Sequence, residues 1–454
     1  MSKTYRPYEP DQILLLPPSV KDWLPTGHLA HFISELVDES LDLSAITEVY
    51  EREDRGYPPY HPVMMTKVLL YAYSMGMPSS RKIEKCLLED VGFRMLAANN
   101  APNFRTIADF RKEHLAALDG LFLQVLKLCQ KAGMVQLGHV ALDGTKMKAN
   151  ASKHKAMSYG RMKKTEAQLQ AEVAEFLRRA AEIDEAEDAE YGRDKRGDEL
   201  PVELAHREGR LKKIREAKAE LEREAREEAE AKKREIEAKQ ALKCPGGRKP
   251  SEPDPTPRDN AQKNFTDPDS RIMPRPGDRL AFIQAYNCQA AVDSKEQVIV
   301  AADVAQQTND SRQAEPMLKQ VKKNMGAVPA KASMDAGYFG KGNIAAVEEM
   351  GVEAFVPPER RKHGEVAPPA PRGRIPKDLS AKELMRRKLS TIRGRTIYAK
   401  RKTIVEPVFG QIKQARGFRQ FLLRGITKVK GEWSLICTTH NLLKLWRNTT
   451  FQAA

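Results

Sequence analysis

Residues 403–413 read TIVEPVFGQIK and carry a single acid, Glu406, among apolar neighbours. Val405, Phe409 and Ile412 stand at the i, i+4, i+7 spacing of one buried helical stripe. Glu406, Gly410 and Lys413 repeat that spacing on the adjacent face, so the carboxylate is aimed beside a core-facing side. Thr403-Ile404-Val405-Glu406 also fits the S/T-x-x-E capping box, in which the glutamate reaches back to the N-cap amide. Pro407 suits a helix start, because it has no N–H and disfavours a helical residue before it. The pattern predicts a helix beginning near Thr403, with Glu406 either a cap or a functional acid, and the remainder of the chain has to decide between them.

The 454 residues set a soft prior of about three domains. Lys and Arg number 77 against 62 Asp and Glu, a net charge of +15, which points to a polyanionic partner, nucleic acid foremost. Cys86, Cys129, Cys244, Cys288 and Cys437 are scattered, with no C-x-x-C pair and no partnered His spacing. That distribution argues for a reduced intracellular chain and against a disulfide or zinc scaffold. The apolar run at residues 13–16 stops at Pro17-Pro18, too short for a signal segment, and no run reaches transmembrane length. The expected location is therefore cytoplasmic and nucleoid-associated, with no membrane partner.

Residues 1–130 read as a helical domain. Apolar residues recur at helical spacing over 28–36 and 63–75, and Gly76-Met77-Pro78-Ser79-Ser80 is a stop followed by an N-cap. The next helix carries Arg81, Lys82 and Lys85, with Ile83, Leu87 and Leu88 on its apolar side. A further helix over 102–114 presents Arg105, Arg111 and Lys112. Short basic helices joined by tight turns suit a helix-turn-helix-like DNA reader, and suit a plain bundle with solvated charges equally well.

At residues 139–152, HVALDGTKMKANAS, Val140, Ala141 and Leu142 make a short strand ending at Asp143-Gly144. A carboxylate then sits where a buried strand emerges, unless Asp-Gly merely closes a hairpin. Lys146 and Lys148 follow on alternate positions, as on a strand edge facing phosphates. Residues 131–155 are taken as the first strand region of a catalytic domain, 156–265 as an insertion and 266–454 as the remainder of that domain. Within the insertion, 161–243 is almost all Glu, Lys, Arg and Ala, broken at 191–201. Leu211, Ile214, Leu221 and Ala225 follow an a/d rhythm with Lys218 in the seam, which predicts two charged helices folded back as a loose hairpin. Such a hairpin would serve as a dimerisation arm, a DNA clamp or a solvated spacer. A Pro-rich linker over 244–257 closes it.

Further on, 281–293 and 298–304 predict a β-hairpin about a turn at 294–296, 311–325 a helix, and 331–334 a strand leading into Asp335-Ala336-Gly337-Tyr338. Residues 343–350 predict a helix and 353–356 a strand. From 360 to 402 the chain is Pro-rich and then intensely basic, running straight into Glu406, and 433–446 predicts a closing helix.

Three acids stand out: Asp143 and Asp335 at strand exits and Glu406 at a helix start. Hard divalent cations such as Mg2+ take oxygen ligands and leave positions for water and phosphate. Two such ions about 4 Å apart suit phosphodiester displacement. Three carboxylates in a basic chain without a His or Cys cluster fit that chemistry better than acyl transfer or zinc hydrolysis.

On ALDGTKMKANAS, AYNCQAAVD, MDAGYFG and VEPVFGQIK with its basic approach, the sequence resembles the DDE transposases of bacterial insertion sequences. The resemblance implies an α/β fold with an RNase H-like mixed sheet flanked by helices, an all-helical N-terminal domain and a long charged helical insertion. It implies Asp143, Asp335 and Glu406 as catalytic residues and as ligands of two Mg2+ ions, with Mn2+ an alternative. Lys413 falls where the related Y-R-E-K signature places a DNA-contacting lysine. Tyr398 and Arg401 keep the signature's mutual separation, but four residues rather than three lie between Arg401 and Glu406; Lys402 has the signature spacing. The implied function is a transposase that binds the terminal inverted repeats of its element, hydrolyses a phosphodiester and transfers the strand. Double-stranded DNA, element ends and target, is the implied partner and a homodimer the natural assembly. The expected DNA-contacting residues are Lys413, Arg401, Lys402, Tyr398, Lys146, Lys148, Arg105 and Arg111. A non-catalytic DNA-binding protein descended from such an enzyme is the alternative, and a coiled-coil adaptor would leave the three acids unexplained.

Overall fold

The structure, a computed structural model, describes residues 19–52, 58–191, 202–241, 251–275, 278–360, 369–376 and 378–452. Its centre is β1 (Val140–Lys148), which begins with the fully buried Val140, Ala141 and Leu142. The strand does not end at Asp143 as the sequence suggested. It pairs antiparallel over all nine residues with β5 (Asp278–Asp293), so Asp143 lies mid-strand opposite Ala290. The apolar run stops at Leu142, but the backbone partners offered by β5 continue, and ladder hydrogen bonds rather than side-chain burial set the strand's length.

On its other edge β1 runs parallel to β7 (Lys331–Ser333), and β7 runs parallel to β8 (Glu353–Phe355). The first half of the long β5 pairs with β4 (Arg271–Arg275) and its second half with β6 (Ile299–Ala305), the hairpin partner expected from the sequence. The result is the six-stranded mixed RNase H-like sheet. Two short strands, β2 (Ala156–Ser158) and β3 (Gln262–Asn264), form a separate antiparallel pair.

Among the described residues, seven α-helices precede the sheet: α1 (Leu29–Glu39), α2 (Ser44–Glu51), α3 (Pro62–Ser74), α4 (Ser80–Glu89), α5 (Val91–Leu96), α6 (Phe104–Glu113) and α7 (Leu115–Lys131). The described insertion consists of α8 (Tyr159–Tyr191) and α9 (Val202–Ala241). After the sheet begins come α10 (Ala314–Met325), α11 (Lys341–Glu349), α12 (Ala381–Ser390), α13 (Ile392–Gly410) and α14 (Ile426–Gln452). One continuous apolar core runs from Leu29 to Leu445, with α7 and α3 packed against α14. The N-terminal helices are thus joined to the C-terminal helix by shared burial. α3 is buried along nearly its whole length, whereas α4 turns Arg81, Lys82 and Lys85 outward; Leu88, expected inside, is 63% exposed.

The insertion leaves and returns at one place, because β2 opens it and β3 closes it. Met162, Leu169, Leu211, Ile214, Ala217 and Leu221 form its own small core, and the seam residue Lys218 bonds Glu166 at 2.9 Å. At its base Lys263, 1% exposed, meets Glu224 at 2.6 Å and Glu220 at 3.0 Å, while Arg271 on β4 reaches Glu224 at 3.0 Å. A buried ammonium survives only when so paired. Of the predicted linker, 244–250 lies outside the described residues.

The helix that carries Glu406 begins eleven residues before the expected start. α13 opens at Ile392 with Thr391 as N-cap, so Glu406 stands in its closing turns and is no capping residue; the capping box is at Ser380 and Glu383, on α12. Pro407 sits inside α13. Its missing N–H leaves the Thr403 carbonyl without its helical partner, and Gln297 Nε2 donates to that oxygen at 2.9 Å. The helix then widens into a π turn over Gln411–Ala415. The predicted stripe of Val405, Phe409 and Ile412 is buried.

Where α12 meets α13, a Cβ on Gly394 would overlap the backbone carbonyl of Lys388, whereas one on Gly120 in α7 would meet nothing within 4 Å. Gly394→Ala should therefore cost about 2–3 kcal/mol, the range of overpacking against an atom that cannot move. Gly120→Ala should be neutral or slightly stabilising, by up to about 1 kcal/mol. Urea unfolding midpoints measure both, and equal midpoints for the two variants would contradict the packing.

Candidate active site

Parallel pairing of Val140 with Ala332 and of Ala141 with Ser333 sets the register between β1 and β7. The ladder ends there, and Asp335, two residues beyond the end of β7, lies close enough to Asp143 for their charges to interact. It caps a short turn, its Oδ1 accepting from Gly337 N at 2.7 Å. Arg360 Nη2 approaches its Oδ2 at 3.4 Å. The strand-exit position expected for Asp335 is therefore observed.

Asp143 is mostly buried. Its Oδ1 accepts from the amide of Gly144 at 2.9 Å and its Oδ2 from Arg401 Nη1 at 2.9 Å. Burial pushes its carboxyl up to about 6; Arg401 opposes that rise and the neighbouring charge of Asp335 adds to it. Arg401 also donates through Nη2 to Glu406 Oε1 at 3.4 Å, so one guanidinium joins the first and third acids. The five-residue step from Arg401 to Glu406 turns about 140° around a helix axis, whereas a four-residue step would bring the two nearly onto one face. The longer contact to Glu406 follows from that, and Glu406 remains about half exposed.

A fourth carboxylate reaches this neighbourhood. Asp310 lies in the loop between β6 and α10, and its Oδ1 accepts from Asn287 Nδ2 at 2.8 Å and Gln289 Nε2 at 2.7 Å, both on β5. A Cβ on Gly144 would meet Asp310 Oδ1 and Gln289 Nε2 at 2.5 Å, which explains a glycine beside Asp143. The other Asp310 oxygen faces Gly337. Tyr338 is fully buried and hydrogen-bonds to Gln289 Oε1; burial drives its phenol far above the usual range, and the charges of Asp310, Asp143 and Asp335 act in the same direction. Asp310 was not singled out in the sequence: the other two aspartates stood at strand exits before a glycine, whereas Asp310 lies five residues beyond β6 and precedes Ser311.

The expected DNA-contacting residues divide sharply. Lys402, Lys148 and Arg105 are exposed. Tyr398 is partly buried beside Arg401. Lys413 turns inward from the π turn and donates to Thr145 Oγ1 at 2.9 Å and to the carbonyl of Lys146 at 3.0 Å, tying the end of α13 to β1; burial lowers its pKa. The Lys146 side chain is partly exposed. Arg111 does not match its expected role. It is buried, with Nη1 donating to Tyr73 Oη at 3.1 Å and the Pro78 carbonyl at 2.6 Å, because a buried guanidinium must satisfy its donors within the fold.

The donor set of Asp143, Asp335 and Glu406 is all oxygen, which fits a hard divalent cation. Among the described residues, no three His, Cys, Asp or Glu are gathered closely enough to hold a metal ion as they stand. Asp143 and Asp335 are the pair whose mutual repulsion a cation would relieve, while Glu406 would have to leave Arg401 to join them.

Residues 18–113 match the family described as a transposase domain (DUF772), and residues 261–442 match the family described as a transposase DDE domain. Asp335, Glu406 and Asp310 fall within the second segment; Asp143 lies in neither. No curated protein and no solved structure matches the chain. No described helix is long and apolar enough to cross a membrane.

The raised carboxyl of Asp143 gives a signed pH dependence. A carboxyl that is a weaker acid folded than unfolded is penalised once the unfolded chain has ionised. The penalty grows as pH rises from about 4 to 6 and levels off near about 3 kcal/mol at neutrality. Without divalent metal, the stability of wild type relative to Asp143→Asn should therefore fall between pH 4 and 6, as read by urea unfolding. A flat difference would show an Asp143 carboxyl of ordinary acidity.

Proposed function

We propose, for a chain that belongs to the DDE transposases of insertion sequences, that Asp143, Asp335 and Glu406 form the catalytic centre of DNA strand cleavage and transfer. The single observation that carries this reading is the meeting of Asp143 on the central strand β1, Asp335 beyond β7, and Arg401 and Glu406 on α13, segments far apart in sequence. The DNA would be the inverted repeats at the element's ends and then the target.

Asp143 and Asp335 would hold a divalent cation, Mg2+ or Mn2+, with Glu406 completing the site for a second. Such ions, when bound, polarise the scissile phosphate and make a bound water acidic enough to attack at neutral pH. The residues of the chain do the remainder. Before a cation binds, Arg401 restrains Asp143 and Glu406, two acids that would otherwise repel; afterwards it would keep Asp143 while Glu406 turns to the metal. Asn287 and Gln289 fix Asp310 behind the aspartates. Lys402 and Arg360, both exposed near the acids, are placed to meet phosphates of the bound strand. Water oxygen would form a bond to phosphorus as the bond to the 3′ oxygen breaks, releasing a 3′-OH. That hydroxyl would attack a target phosphodiester and displace the next 3′ oxygen. No protein nucleophile takes part; Tyr338, three residues beyond Asp335, is buried against Gln289, and Tyr398 is partly buried beside Arg401.

Joining two ends favours a homodimer, and the α8–α9 arm, fixed at its base by Lys263, is the element best placed to meet a partner. A nucleoid location would follow from DNA binding.

Asp335→Asn should retain binding to a duplex carrying the flanking inverted repeats and lose at least about a hundredfold in metal-dependent cleavage. Arg401→Met should lower cleavage while raising the Asp143 pKa above about 6, since Arg401 holds it down. Gel assays of strand cleavage and carbon-13 NMR titration of the aspartates read these outcomes. An Asp335→Asn variant that cuts at the wild-type rate would reject the assignment; binding without cleavage by wild type in both Mg2+ and Mn2+ would favour the non-catalytic reading.

A further inference from the structure

A groove of ≈ 670 Å³ opens at the far end of β1. Lys148, Lys153, Lys155, Arg275 and Arg424 line it together with the His154 ring, and among the described residues no carboxylate does. Between the lysines and arginines stands Phe282, 48% exposed on β5. The groove is built rather than incidental. Lys148 N donates to the Arg419 carbonyl at 3.1 Å, Phe421 N to the Lys148 carbonyl at 2.9 Å, and Asn150 Nδ2 to the Leu422 carbonyl at 2.7 Å. The buried Glu432 fixes the opposite wall, accepting from Leu422 N at 3.1 Å and Leu423 N at 2.9 Å. Arg424 Nε is oriented by the carbonyl of Asn150 at 2.9 Å.

Its position relates it to the acids. Lys148 lies five residues beyond Asp143 on one strand, about 17 Å at 3.4 Å per residue, with its side chain on the other face, whereas Phe282 shares the face of Ala290, the residue paired with Asp143. A DNA strand stacked at about 3.4 Å per nucleotide covers that span in roughly five nucleotides. Cations alone would serve a duplex backbone as well as a single strand. An exposed aromatic ring among them does not, because the bases of a duplex already stack on one another. A ring of that kind is useful to a base that has left the stack.

We propose, resting on the function assigned above, that this groove holds an unpaired DNA strand leading from the cleaved end, its phosphates on the lysines and one base stacked on Phe282. The groove then acts after or beside the chemistry, holding a strand in place between cleavage and transfer.

The test uses full-length protein without divalent metal and two fluorescent probes: a blunt duplex of the element end, and the same duplex with a short unpaired extension carrying 2-aminopurine. Phe282→Ala should weaken binding of the extended probe about tenfold and abolish the 2-aminopurine change, leaving the blunt duplex unaffected. Phe282→Trp should restore both. Lys153→Gln with Lys155→Gln should reduce the salt dependence of extended-probe binding by about 1.4 in log–log slope. Phe282→Ala binding both probes as wild type does, or losing both equally without rescue by Trp, overturns the proposal. Wild-type cleavage is scored separately with metal. Cleavage with unchanged Phe282→Ala binding rejects the groove and spares the catalytic reading; absent cleavage with the selective binding loss does the reverse.

Discussion

β1 finds neither of its neighbours in the part of the chain that precedes it. Both β5 and β7 come from beyond the insertion, and the sheet forms only when the chain returns to flank residues 140–148. That constraint explains the form of the insertion. It must leave and come back at nearly one point, which the pairing of β2 with β3 enforces, and a helical hairpin does so without crossing the sheet. Asp143 falls outside the two matched segments, yet Arg401 and Glu406, inside one of them, reach it across the fold.

Once the sheet is closed, buried charge fixes what the backbone leaves free. At the root of the arm Lys263 is held by two glutamates, and over the central strand β1 Arg401 is held by an aspartate and a glutamate. Neither arrangement is strong evidence of net stability, since desolvation offsets much of the attraction. Each fixes an orientation, because breaking one partner would strand a buried ion. The π turn after α13 works similarly: Lys413 bonds the β1 edge and so couples the end of the Glu406 helix to the strand that bears Asp143.

Much of this was legible in the sequence, and the failures have physical causes. The β5–β6 hairpin, the exit of β7 at Asp335 and the buried stripe of Val405, Phe409 and Ile412 follow from periodicity alone. The length of β1 did not, because its later residues are held by a neighbour far away in sequence. The start of α13 did not either: its first turns expose Ile392, Arg393 and Thr396, leaving no apolar period to read. Arg111 looked like a surface cation until Tyr73 and Pro78 supplied its acceptors, and Asp310 gained its place only through Asn287 and Gln289. The extra residue between Arg401 and Glu406 made the signature look broken, yet the length of the guanidinium spans the difference.

Asp143, Asp335 and Glu406 are proposed to make one metal-binding centre, which anomalous diffraction from crystals soaked in Mn2+ would reveal. A peak is expected within about 2.1 Å of oxygens from both Asp143 and Asp335, with Glu406 turned away from Arg401 toward the metal. Manganese bound elsewhere, with Arg401 still joining Asp143 to Glu406, would contradict it.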